Sequence, residues 1–114
     1  MTIWERIYAA LSPLNLPMAA GAMIVDSESD RPDVYLVYFL VSSSPIQHAD
    51  DLERERSYLV QVSVYSRNGL TNLPDVTGAM KAADFIPGPT RELPYNPQTK
   101  HFGLAMEFTY LEKE

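Results

Sequence analysis

The sequence predicts an α+β fold: a mainly antiparallel sheet packed with an N-terminal helix and one central helix, from which a long loop or hairpin arm protrudes. Three observations carry this. The apolar patterning gives the order helix, strand, strand, strand, helix, strand, strand over residues 1–114, read as a single domain. Segments 58–65 and 102–110 alternate large apolar residues with small or polar ones, as half-buried strands do. Helical patterns fall only at the N-terminus and once in the second half, so no βαβ alternation points to a parallel sheet.

Thr2-Ile-Trp-Glu5 fits a capping box, in which the Thr2 hydroxyl accepts from the backbone N–H three residues on and Glu5 reaches back; this starts a helix at Ile3. Ile3, Ile7 and Leu11 recur at i, i+4 and i+8, with Trp4 and Tyr8 beside them, and Pro13 stops the pattern. Trp4, the only tryptophan, is expected to anchor this helix to the sheet, a subunit contact being the other reading. After Pro17, the small apolar run Met18 to Val25 suits a strand.

Asp26 to Asp33 reads as a solvated turn. Its alternating acids match the start of a calcium loop, but Arg31 stands where that loop needs glycine, and Leu36 and Val37 stand where it needs a bidentate glutamate. Val34 to Val41 is apolar on both faces and is expected to be the central strand, covered on both sides by helices or by a neighbouring subunit. From Tyr58 the alternation sends Tyr58, Val60, Val62 and Val64 one way and Leu59, Gln61, Ser63 and Tyr65 the other. Ser42 to Ser57 lies between these strands and holds Pro45 and the run Asp50-Asp-Leu-Glu-Arg-Glu-Arg56. It is too long for a tight turn and forms the arm.

Arg67-Asn-Gly69 marks a turn. Leu73, Val76, Met80 and Ala83 form one stripe of a second helix, with Asn72 as cap and Pro74 in the first turn; Gly78 weakens that helix by about 1 kcal/mol relative to Ala unless it allows close packing on the sheet. Pro87, Pro89, Pro94 and Pro97 exclude interior strand pairing, so 85–100 should be an irregular or edge hairpin. In the last strand Phe102, Leu104, Met106, Phe108 and Tyr110 are expected to face inward.

Composition limits function. At 114 residues the chain makes one core, with an expected radius of gyration of about 13 Å. Its net charge of −6 argues against adhesion to nucleic acid through phosphates. The absence of cysteine removes disulfides, thiolate metal sites and a cysteine nucleophile, and makes oligomerisation a natural route to stability. The N-terminus shows no targeting segment, and the longest apolar run is far shorter than a membrane span, so a soluble intracellular protein with no membrane partner is expected.

The residues offer little chemistry. His48 and His101 are the only histidines, and His48-Ala-Asp50-Asp51 reads as a charged loop rather than a metal site. There is no glycine-rich phosphate cradle and no serine in a nucleophile elbow. The expectation is a protein that is not an enzyme and carries no cofactor. Glu53-Arg-Glu-Arg56 is either a recognition strip on the arm or a solvated charge run.

Asp50-Asp, Val60-Gln-Val-Ser-Val-Tyr-Ser-Arg67 and the hairpin from Arg91-Glu-Leu-Pro-Tyr95 through Thr99-Lys-His-Phe-Gly-Leu104 to Leu111 resemble the small tail-terminator, or tail-to-head joining, proteins of long-tailed bacteriophages and prophages. The likeness covers the C-terminal two-thirds. It implies a ring, usually a hexamer, that caps the tail tube and joins it to the head connector, without catalysis, in the virion and in the host cytoplasm during assembly. The physical reading agrees in kind: a head-to-tail ring needs one surface that fits a different surface of the neighbour, and open sheet edges with an arm supply candidates. The candidate assembly contacts or lumen residues are Asp50, Asp51, Glu53, Arg54, Glu55, Arg56, Arg91 and Tyr95. Asp50, Asp51, Glu53 and Glu55 are placed in a DNA-repelling lumen or against the next ring, the opposing reading being a solvated loop. The rival function is a small adaptor or ligand-binding domain, which would show a discrete apolar pocket.

Overall fold

A computed structural model describes residues 1–27, 31–47 and 54–113. The elements are α1 (Ile3–Leu11), a 3-10 turn (Ser12–Leu14), β1 (Met18–Ala20), β2 (Val34–Gln47), β3 (Arg54–Ser66), α2 (Val76–Ala82), β4 (Ile86–Asn96) and β5 (His101–Lys113). The fold is α+β, with one five-stranded sheet in the order β1-β2-β3-β5-β4. Every pair is antiparallel except β1–β2, which is parallel. The mainly antiparallel sheet is as expected, and its one parallel pair leaves no βαβ signature because the described residues of the connection 21–33 hold no helix. The central position belongs to β3, not to the Val34 to Val41 segment.

α1 begins as its capping box dictates. Glu5 N–H donates to Thr2 Oγ1 at 3.1 Å and Thr2 N–H donates to Glu5 Oε1 at 2.8 Å. The Thr2 backbone N–H first, and the Thr2 hydroxyl after it, favour the charged carboxylate and hold Glu5 below the usual carboxylate range. Ile3, Ile7, Ala10 and Leu11 turn into the core. Trp4 does not: it is 45% exposed, because the stripe that contains Trp4 and Tyr8 lies about a quarter-turn round the helix from the buried one. The expected anchor is therefore a solvent-facing flank.

β1 is shorter than the predicted Met18 to Val25 strand, since Gly21 turns out with φ +79° while its N–H still reaches Tyr38 O at 2.8 Å. β2 runs well past Val41. After a bulge between Leu40 and Ser42 it pairs with β3 from Ser42↔Leu59 to Gln47↔Arg54. Much of the predicted arm is thus paired hairpin, and the molecule extends over 54 × 27 × 24 Å with a radius of gyration of 15.6 Å, above the compact expectation.

α2 starts later than predicted. Asp75, not Asn72, is the cap, its carboxylate accepting from Gly78 N–H at 2.9 Å, and Pro74 precedes the helix. Gly78 sits against this cap and not against the sheet: a Cβ there would meet the Asp75 carboxylate. Val76 and Met80 are buried as the stripe requires. β4 is an edge strand whose register slips between Pro87 and Thr90 and between Leu93 and Asn96, where prolines interrupt pairing.

Both helices lie on one face of the sheet. The core there joins Ile3, Ile7 and Leu11 of α1, Leu36 and Tyr38 of β2, Val60, Val62 and Val64 of β3, Val76 and Met80 of α2, and Met106 and Phe108 of β5. Leu104 and Tyr110 pack against this core, but Phe102, predicted to face inward, is exposed. Among the described residues no helix lies on the opposite face, although Tyr35, Val37, Gln61, Ser63, Ala105 and His101 on it are buried. The two-sided cover expected for Val34 to Val41 therefore holds at residues 35–38, where Tyr35 and Val37 are buried without a helix over them, and ends before the exposed Val41.

Candidate functional site: solvent-facing assembly surfaces

The helix-free face is built row by row from the strand register. Arg91, Gln61, Ser63 and Glu107 form a polar group on it, beside Phe39, Val37 and Ala105. Arg91 Nη2 donates to Gln61 Oε1 at 3.2 Å, and Gln61 Nε2 donates to Ser63 Oγ at 3.2 Å. Arg91 Nη1 lies 3.9 Å from Glu107 Oε1. The next row places Ile86, Thr109, Leu59 and Ser42 side by side, because Ile86↔Thr109, Leu59↔Thr109 and Ser42↔Leu59 are register partners. Leu111 lies one row higher beside Ser57, and Phe39 one row lower beside Gln61. Alternation puts all of these opposite the buried Val60 and Phe108.

The arm supplies the predicted charges differently from a single strip. Glu55 is the register partner of Lys113 and Ile46, on the helix-free side; Arg56 pairs with Glu112 and Pro45, on the helix side. Arg56 Nη1 donates to Ser43 Oγ at 2.9 Å. Glu112 lies 3.4 Å from Arg6 Nε, and the Arg6 guanidinium stands over the Tyr110 ring at 4.9 Å, tying α1 to the base of the arm. Arg54 opens β3, while Asp50, Asp51, Glu53 and His48 lie outside the described residues.

Tyr95 is not part of the same surface as the arm. Its ring rests on Phe102 at 4.7 Å, both exposed. The register pairs Asn96↔His101 and Glu55↔Lys113 stand at the two ends of β5, separated by about 40 Å of extended strand. Arg91 lies between them.

The end of the sheet far from the arm is closed by Arg67. Its Nε donates to Thr99 O at 2.9 Å and its Nη1 to Arg31 O at 2.9 Å and Asp33 Oδ1 at 3.1 Å. His101, 1% exposed, has Nε2 at 2.8 Å from Pro32 O, which fixes that nitrogen as the donor, and it meets the Tyr35 ring edge-on. An open hollow of ≈330 Å³ beside it is lined by Arg31, Tyr35, Tyr65, Asn96, Gln98 and Thr99 among others. Its lining is mixed and polar, whereas a second open hollow of ≈300 Å³ at α1 and α2 is lined by Ala9, Ala10, Pro13, Ala79, Ala82 and Ala83. Among the described residues no three His, Cys, Asp or Glu side chains cluster as metal ligands, and no helix is long and apolar enough to cross a membrane.

Sequence reasoning favoured a core role for Trp4 over the subunit contact it also weighed, and missed the two adjacent rows that hold Ile86, Leu59 and Leu111. The first had a signal, since two aromatics at i and i+4 beside a complete apolar stripe leave one face too many for a single core.

No family model matches the chain, and no curated protein matches it. Among solved structures it is similar to the sheath/tube terminator of an extracellular contractile injection system, PVC, in the extended state, seen by cryo-electron microscopy, with a TM-score of 0.50 at 10% identity. The match covers 100% of this chain but 57% of that one, so the chain spans little more than half of the neighbour's length. At that identity the likeness is one of fold.

Proposed function

We propose that this protein is a tail terminator: a structural, non-catalytic subunit that assembles into a ring, a hexamer by family analogy, on the end of a phage or prophage tail tube and joins it to the head connector. The observation that carries this reading is the fold likeness, across the whole chain, to a protein described as a sheath/tube terminator. It agrees with the resemblance read independently from the 60–67 and 91–111 segments. Tail tube and connector are the partners, a sheath is a further one if the tail is contractile, and the virion is the destination. Negative-stain images of the purified protein, concentrated and with a tail tube as template, are expected to show closed rings; their absence under both conditions overturns the reading.

Within that ring we place Asp50, Asp51, Glu53 and Glu55 at the lumen or against the next ring. Repetition of a −6 subunit around a channel keeps DNA from sticking. Asp50→Lys combined with Asp51→Lys is expected to leave folding within about 0.5 kcal/mol. The same change should give rings that retain DNA at low salt, or no rings at all. Rings that form normally and ignore DNA show the acids to be ordinary solvated surface.

A further inference from the structure

Each of the chain's asparagines has a different chemical prospect, set by the residue that follows it: Leu16 after Asn15, Gly69 after Asn68, Leu73 after Asn72 and Pro97 after Asn96. An asparagine side chain is open to attack by the backbone nitrogen of the next residue, provided that nitrogen can shed its proton and reach the side-chain carbonyl carbon. The branched side chain of leucine crowds the approach, and proline has no N–H to lose. Glycine presents neither obstacle. The fold leaves the Asn68-Gly69 pair open as well. It lies in the turn after β3, where Asn68 is exposed and Gly69, at φ +88°, has nothing within 4 Å of where a Cβ would stand. The Asn68 N–H donates to Ser66 Oγ at 3.1 Å, but among the described residues no hydrogen bond engages the Asn68 side chain or the Gly69 N–H. Asn96 differs on both counts, since its Oδ1 accepts from Gln98 N–H at 3.0 Å and proline follows it.

We propose that Asn68-Gly69 is a site of spontaneous modification, at which the asparagine becomes aspartate or isoaspartate with water as the only reactant and no enzyme. Hydroxide takes the Gly69 N–H proton, and the nitrogen bonds to Asn68 Cγ. The Cγ–Nδ2 bond then breaks, Nδ2 leaves as ammonia with a proton from water, and a five-membered succinimide is closed. Water opens this ring at either carbonyl. Breaking the bond from the ring nitrogen to Cγ restores the ordinary main chain with an aspartate. Breaking its bond to the Asn68 carbonyl carbon leaves an isoaspartate, whose main chain runs through Cβ and Cγ and is one carbon longer. The sum is amide plus water to carboxylate plus ammonium, and nothing is oxidised or reduced. Either product adds one negative charge to a chain already at −6, at the end of the sheet far from the arm. The Arg67 clasp survives, because its acceptors are reached by a side chain that leaves the backbone before the altered link. The extra carbon enters the connection to α2 instead. This chemistry does not depend on the ring.

The test holds the full chain in warm, mildly alkaline buffer, follows its folding by far-ultraviolet circular dichroism, and digests samples in mild acid for mass spectrometry. Fragment ions assign each mass gain to one asparagine. Asn68 is expected to gain one mass unit and to give two products of equal mass, one of which accepts a methyl group from an isoaspartyl methyltransferase. Its rate should exceed those at Asn15 and Asn72 about tenfold or more, which corresponds to a barrier lower by about 1.4 kcal/mol. Asn68→Gln, whose attack would have to close a six-membered ring, should lose the gain while its unfolding midpoint stays near wild type. Asn68→Asp should run from the start at the more acidic position that wild type reaches with time on isoelectric focusing, with a wild-type spectrum. A folded chain in which Asn68 changes no faster than Asn15 and Asn72 overturns the proposal. So does a gain seen only after urea has unfolded the chain, since the turn then holds the pair out of reach.

Discussion

Arg67→Met is expected to lower stability by about 2–4 kcal/mol and to move the urea midpoint down by about 2 M with little change in slope. The side chain is mostly buried, 23% exposed, and its guanidinium ties β3 to two other stretches of chain, through Thr99 O on one and Arg31 O and Asp33 Oδ1 on the other. Two of these acceptors are backbone carbonyls that lose a charged donor when Arg67 goes. The bond to Asp33 adds little, because that carboxylate is 71% exposed and well solvated. Arg67→Lys should recover less than half of the loss, since one ammonium cannot span acceptors that a planar fork reaches together. Amide exchange should accelerate first at Thr99 to His101 and at Asp33, the segments the fork holds, while β3 near Val62 stays protected. A variant as stable as wild type would show that water replaces the fork at no cost.

How much of this was readable follows from what each signal encodes. The α1 start was legible because a capping box is a local, reciprocal pair of hydrogen bonds. The α2 start was not, because Asn72, Pro74 and Asp75 all suit a helix N-terminus and only the backbone decides which carboxylate or amide reaches a free N–H; Asp75 does, at Gly78. The continuation of β2 through Ser42, Ser43, Ser44 and Pro45 left no alternation to read, since ladder bonds come from the backbone and ask nothing of these side chains. β1 is three residues long and parallel, held by its neighbour rather than by its own pattern.

The candidate surfaces were harder still. Periodicity says which residues share a face and is silent on how far along the strand the cover extends. Alternation also cannot connect Ile86 to Leu59 and Leu111, which lie far apart in sequence and meet only through the register of β4, β5 and β3. The arm charges could be named because they lie in one run; their division between two faces needed the strand pairing of Glu55 and Arg56.

Phe102 and Phe108 test that distinction directly. They share a strand, a residue type and an alternation phase, and the sequence gives no reason to rank them. Phe108 is 1% exposed and, with Val60 as its cross-strand partner, is the largest fully buried side chain among the described residues; Phe102 is 38% exposed and rests on Tyr95 beyond the reach of the helices. Phe108→Ala removes a buried ring from between the sheet and the helix layer, where close packing leaves the neighbours little room to collapse, and should cost about 3–5 kcal/mol. Phe102→Ala removes half-exposed area and one aromatic contact, for about 1 kcal/mol. Because a domain of this size has about 5–15 kcal/mol in total, the first variant should be partly unfolded on mild warming while the second behaves almost as wild type. If urea titrations give the two substitutions equal losses, the helices cover the whole length of β5, and the boundary drawn here between core and solvent-facing surface is misplaced.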